Sequence, residues 1–118
     1  MGKIEEETMI FESFTLKGVE LKNRLVRSAT YEKRADESGF VTDGLIDFYE
    51  TLTRGGVGLI ITGNTVVHPS GISVPQVTCI YDDKYVSGLK RLCDAVHALG
   101  GRIFIQLVHG GRQCFPSL

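Results

Sequence analysis

The stretch Arg102-Ile103-Phe104-Ile105-Gln106-Leu107-Val108-His109-Gly110-Gly111-Arg112 constrains the fold more than any other part of the 118-residue chain. Ile103, Phe104, Ile105 and Leu107 form a short apolar run of strand formers, with Gly100-Gly101 before it and Gly110-Gly111 after it. A strand apolar on both faces belongs in a parallel sheet covered by helices. Gln106 interrupts the run near its C-terminal end, where α/β sheets keep their ligands.

The rest of the chain supplies the units such a sheet needs. Gly58-Leu59-Ile60-Ile61-Thr62-Gly63 reads as a second buried strand, and Arg24 to Ser28 as a shorter first one. Between them, Thr42 is suited to cap a helix and Asp43 to its first turn, where the helix dipole favours negative charge. Leu45, Phe48, Tyr49 and Leu52 then recur at helical spacing until Gly55-Gly56. Asp82-Asp83 open a second helix, whose apolar stripe is Val86, Leu89, Leu92, Cys93, Val96 and Leu99. Phe14, Leu16, Val19 and Leu21 flank Lys17-Gly18 as a small hairpin. Residues 64 to 81, with Pro69, Gly71 and Pro75, read as a loop. Residues 1–9 are expected to be a polar tail and 10–118 the folded domain.

The order is hairpin, β, α, β, α, β, with right-handed crossovers expected. It fits the opening of a (β/α)8 barrel or half of a doubly wound sheet. No G-x-G-x-x-G follows the first strand, and Gly55-Gly56-Val57-Gly58 precedes a strand instead. The expected fold class is therefore α/β, the N-terminal part of a (β/α)8 TIM barrel, comprising the hairpin and about three βα strands. Such a barrel needs about 200 residues or more. The chain is accordingly expected to be a fragment, with strand edges that favour homo-oligomers.

Composition narrows the function classes. A hydrophobic fraction of 42%, a charged fraction of 23% and a net charge of −1 describe a soluble globular chain without a basic patch. Neither nucleic acid nor a membrane is expected as a partner. The start, Met1-Gly2-Lys3-Ile4-Glu5-Glu6-Glu7, is too acidic for a signal peptide. Cys79, Cys93 and Cys114 are odd in number and lack CxxC spacing, so neither disulfides nor a metal site is expected, and the cytoplasm is the natural compartment.

With parallel strands, Ser28-Ala29-Thr30-Tyr31, Gly63-Asn64-Thr65 and Gln106 to Arg112 all fall at strand C-termini, the catalytic face of a barrel. Gln106 offers a donor and an acceptor on one side chain, able to pair with a carbonyl beside an N–H or to bond loop backbone. His109 could act as acid, base or ligand, but no second His or carboxylate lies at ligand spacing, and a rim histidine is the commoner case. Tyr31 could donate a proton or simply pack. The residues themselves lead as far as a site for a polar planar group.

Three segments are specific together. Leu21-Lys22-Asn23-Arg24-Leu25-Val26-Arg27-Ser28-Ala29-Thr30, Gly55-Gly56-Val57-Gly58-Leu59-Ile60 and Ile105-Gln106-Leu107-Val108-His109-Gly110-Gly111-Arg112 resemble the old yellow enzyme family of FMN-dependent (β/α)8 barrels. The resemblance runs from about Ile10 to Arg112 and includes the Asp82 to Gly100 helix. It implies a full-length oxidoreductase in which NAD(P)H reduces FMN and the flavin reduces the activated C=C of a small enone-like substrate. It also implies cofactor contacts from Ser28, Ala29, Thr30, Tyr31, Gly63 and Asn64, with Gln106 bonding the pyrimidine edge of FMN. Many members have Pro at the Ala29 position and Thr or Cys at the Tyr31 position. The family's histidine pair, proton-donating tyrosine and phosphate loops lie further along the barrel, so this segment is expected to be inactive alone. The alternative is a non-catalytic truncated barrel that self-associates or binds a partner.

Overall fold

The protein is described by a computed structural model covering residues 9–115; residues 1–8 of the expected tail lie outside the described residues. Two short strands come first, β1 (Phe14–Leu16) and β2 (Val19–Leu21), antiparallel with Phe14 opposite Leu21 and Leu16 opposite Val19. Lys17 and Gly18 connect them with φ of 44° and 86°. Positive φ at both central residues is the tight-hairpin signature, so the expected turn forms.

The main sheet holds β3 (Val26–Arg27), β4 (Leu59–Val66), β5 (Thr78–Cys79) and β6 (Ile103–Val108). All pairings in it are parallel. β6 runs along one edge of β4, from Ile60 opposite Ile103 to Val66 opposite Val108. β3 and β5 share the other edge, β3 on Leu59 and Ile60, β5 on Thr65 and Val66. Between those two short pairings, residues 61–64 of β4 have no strand beside them on that edge among the described residues. The helices α1 (Asp43–Arg54) and α2 (Val86–Ala98) fill the crossovers. This is the βαβαβ arrangement of the N-terminal part of a (β/α)8 barrel.

Local chemistry accounts for the helices. Thr42 Oγ1 accepts the Leu45 N–H at 3.1 Å, so the predicted cap forms. Leu45, Ile46 and Tyr49 are buried, whereas Phe48 and Leu52 are half-buried at the edge of the stripe. The aspartates at 82 and 83 open a 3-10 turn (Asp83–Tyr85) rather than the helix itself, with the Asp82 side chain accepting the Lys84 N–H at 2.9 Å. In α2, Leu89, Leu92 and Val96 pack into the core with Leu45, Tyr49 and Ile60. Each such side chain contributes about 1.5–3 kcal/mol when fully buried.

Four expectations need correction. The first barrel strand covers only Val26–Arg27, because the chain turns aside at Ser28. The expected loop from 64 to 81 is partly regular: Asn64, Thr65 and Val66 continue β4, Pro69–Gly71 forms a 3-10 turn and Thr78–Cys79 forms β5. β6 is not buried on both faces; Ile103 and Ile105 reach the core, while Phe104, Gln106 and Leu107 are exposed. β6 pairs with β4 alone, and among the described residues no strand covers its other edge. The α2 stripe is also shorter than expected, since Val86 and Leu99 are exposed and Cys93 is half-buried. Val86, Leu89, Cys93, Ile80 and Ile105 line an open apolar groove along that side.

Candidate active site

Three strand ends meet at one end of the sheet. The Ser28–Thr30 segment leaves β3, with Thr30 Oγ1 donating to the Ser28 carbonyl at 3.1 Å. Gly63 lies in β4 directly beneath it: a Cβ there would stand 2.6 Å from the Thr30 carbonyl and 2.6 Å from a Glu32 carboxylate oxygen. Any side chain at 63 would force the two segments apart, so close approach dictates glycine.

On the other side of Gly63, β4 and β6 change step. Ile61 is opposite Phe104, but Asn64 is opposite Gln106, so β4 carries one extra residue. The Gln106 N–H takes Thr62 Oγ1 at 3.1 Å across this bulge. Asn64 and Gln106 thereby become cross-strand neighbours, two amides on one face of the sheet. Neither side-chain amide is hydrogen-bonded to another described residue, and Gln106 is exposed. The two amides follow Gly63 and the Thr30 segment that it touches, so polar groups from β3, β4 and β6 form a row at the strand ends, in which the Thr30 carbonyl and the Gly63 N–H are already bonded within the protein.

A buried polar cluster backs this row. Arg27 projects from β3, donating to the Ile61 carbonyl at 3.1 Å, the Tyr49 hydroxyl at 3.2 Å and the Thr30 carbonyl at 3.0 Å. Tyr49 donates to Glu32 at 2.9 Å and accepts the Gly63 N–H at 3.0 Å. Glu32 pairs with Arg27 at 3.5 Å, and the two side chains are 9% and 14% exposed. Burial pushes the Tyr49 hydroxyl up to about 12; the Gly63 N–H opposes the rise and the Glu32 charge adds to it. Among the described residues no buried side-chain N or O atom lacks a partner.

The other flagged residues serve the loops. Tyr31 donates to the Pro75 carbonyl, tying the loop after β3 to that after β4. Burial raises its hydroxyl above the usual tyrosine value, with Glu32 adding to the shift. His109 accepts the Gly111 N–H on Nδ1 at 3.0 Å, and its Nε2 lies 3.0 Å from Ser70 Oγ. Ser70 Oγ is in turn 2.7 Å from His68 Nδ1. The histidine is an exposed rim residue that joins two loops, and no group of three or more metal-ligating side chains occurs among the described residues.

The structure thus brings Thr30, Gly63, Asn64 and Gln106 together and turns the Tyr31 hydroxyl away into a loop contact. The sequence reading missed Arg27, Glu32, Tyr49 as a polar group, and Thr62. One signal was available: Arg27 stands inside a predicted strand, and a charge there requires a buried partner.

Fold and site define the first βα units of a barrel with an amide-lined face at its strand C-termini. The chain belongs to the NADH:flavin oxidoreductase / NADH oxidase family, which it matches over residues 9–117. It is 39% identical over 110 residues to an NADH oxidase of Thermoanaerobacter brockii, covering 92% of this chain and 17% of that protein. It is also 39% identical to an NADPH dehydrogenase of Halalkalibacterium halodurans, covering 91% of this chain and 32% of the relative. Among solved structures, the old yellow enzyme from a Pichia species superposes with a TM-score of 0.85 at 30% identity, over 90% of this chain and 28% of that one. The homologue from Zymomonas mobilis gives 0.83 at 30% identity, over 89% and 29%. The chain therefore spans between one sixth and one third of the length of these proteins.

Proposed function

We propose that this chain forms the first part of an FMN-dependent oxidoreductase, using NADH or NADPH, with Ser28, Ala29, Thr30, Tyr31, Gly63, Asn64 and Gln106 as its share of the flavin site. The observation that carries the reading is the pairing of Asn64 and Gln106 beside the Thr30 and Gly63 peptides. A flat heterocycle with alternating carbonyl and N–H groups needs such a row of amides and backbone groups on a rigid sheet. The donor set therefore fits the pyrimidine edge of a flavin. FMN would supply hydride transfer from the nicotinamide to an activated C=C of a small enone-like substrate. The chain's own residues bind and orient: Gln106 offers a donor and an acceptor, and Gly63 allows close approach. Of the contributors, Tyr31 would act through its backbone, its hydroxyl being committed to Pro75.

The test is the visible spectrum of the complete protein carrying this sequence. The expected result is a yellow protein that NADH or NADPH bleaches without oxygen and 2-cyclohexenone re-oxidises. A protein that takes up no FMN overturns the reading.

A second reading concerns the chain by itself, as a self-associating module. It is favoured by the edge position of β6, where Leu107 is 63% exposed beside exposed Phe104.

A further inference from the structure

β4 contains a gap in its hydrogen bonding that side chains fill. On the edge shared by β3 and β5, β3 pairs only at Leu59 and Ile60 and β5 only at Thr65 and Val66. The Ile61 carbonyl and the Gly63 N–H fall between them. A sheet interior leaves such groups unpaired only at a cost of about 1–3 kcal/mol each. Here Arg27 donates to the Ile61 carbonyl at 3.1 Å, and Tyr49 accepts the Gly63 N–H at 3.0 Å. The same Arg27 reaches forward to the Thr30 carbonyl at 3.0 Å. Glu32 closes the cluster by accepting from Tyr49 and pairing with Arg27.

We propose that Arg27, Tyr49 and Glu32 are positioning residues that take the place of a missing strand and fix the Thr30 and Gly63 peptides relative to each other. The inference rests on the flavin reading, because those peptides form one end of the proposed cofactor row. Three features support a positioning role over simple core filling. Each residue comes from a different element: β3, the loop after it, and α1. Two of the bonds, Arg27 to the Thr30 carbonyl and the Gly63 N–H to Tyr49, end on backbone groups of the row itself. Tyr49, with two donors arriving and one proton leaving, has no capacity to spare. A rotation of this phenol would release Gly63 and Glu32 together.

The test compares Tyr49→Phe with the parent in the complete protein. Phenylalanine keeps the ring and removes the hydroxyl that accepts the Gly63 N–H. Hydrogen exchange of the flavin-free protein should show faster exchange at Gly63 by about tenfold or more, consistent with losing one buried bond. FMN should bind about tenfold more weakly, with a shifted flavin absorption band. Glu32→Gln, which still accepts from Tyr49, should retain most of the protection at Gly63. Unchanged Gly63 exchange together with a parent-like flavin spectrum in Tyr49→Phe would overturn the positioning role, even if the melting temperature fell. If Tyr49→Phe does not fold, Arg27→Lys gives the same readouts, Gly63 exchange and the flavin spectrum, because Arg27 donates to the Tyr49 hydroxyl that accepts the Gly63 N–H. A parent protein that binds no FMN would overturn the functional reading instead, while exchange at Gly63 would still judge the cluster.

Discussion

Asn64 and Gln106 face each other across β4 and β6 because β4 carries one residue more than its partner between Ile61 and Asn64. Continuing the register of Ile60 with Ile103 would have placed Gly63, which has no side chain, opposite Gln106. The bulge substitutes an amide for a hydrogen atom at the point where the row of polar groups begins. Bulges commonly re-aim side chains near active sites in this way.

Thr62 holds that bulge. Its buried hydroxyl accepts the Gln106 N–H at 3.1 Å. Thr62→Val keeps the shape and removes the acceptor, leaving a backbone donor unpaired. The expected loss is about 1–3 kcal/mol in urea unfolding. Weaker FMN binding should accompany it, since Gln106 is no longer fixed. An equally stable variant with normal binding would mean that the bulge is held by the flanking ladder alone.

The Arg27–Glu32 pair is nearly dry, so its two charges are not interchangeable with surface charges. Removing one partner strands the other. Glu32→Ala should destabilise the protein by about 3 kcal/mol, in the range seen when a buried pair is broken on one side. By contrast, Lys90→Ala, which removes the exposed helix pair with Asp94, should leave the denaturation midpoint nearly unchanged. Comparing the two denaturation midpoints checks both expectations.

Much of the fold could be read from the sequence because its signals are local. Thr42 caps its helix, Lys17-Gly18 turns its hairpin, and the Leu89, Leu92 and Val96 stripe finds the core. β5 could not be read this way: Thr78 and Cys79 are strand only because the end of β4 lies beside them. Gln106 was recognisable as a polar interruption in an apolar run. Its neighbour Asn64 was identified too, yet the bulge that brings them together depends on pairing between segments some forty residues apart. The Arg27, Glu32 and Tyr49 cluster shares that difficulty. Tyr49 lies on the apolar stripe of α1, and nothing in helical spacing says that its hydroxyl meets the Gly63 N–H.

Tyr49 should also set a limit on stability at high pH. Its folded-state hydroxyl is pushed up to about 12 from an ordinary value of 10.0. A group raised in the folded state favours folding fully below its unfolded value. That advantage is lost as pH rises from about 10 through about 12, because the unfolded chain releases the proton first. Stability is therefore expected to fall across this window, with the tyrosinate signal at 295 nm rising in step. In Tyr49→Phe the Tyr49 share of that fall should disappear. A parent and variant with the same slope would assign the alkaline loss to other groups.

Gln106 offers the sharpest separation of binding from folding. Its side chain is exposed and makes no hydrogen bond to another described residue. Gln106→Leu is close to it in volume and keeps the backbone N–H that Thr62 accepts. Unfolding midpoints should therefore stay within about 0.5 kcal/mol of the parent, as for other surface substitutions. FMN affinity should nonetheless fall about tenfold or more, because the pyrimidine edge would meet an apolar group where it needs both a donor and an acceptor. Gln106→Glu keeps the acceptor and loses the donor, so it should lie on the weak side of the parent as well. If both variants bind FMN like the parent, Gln106 does not address the flavin, and the row of amides must serve another ligand.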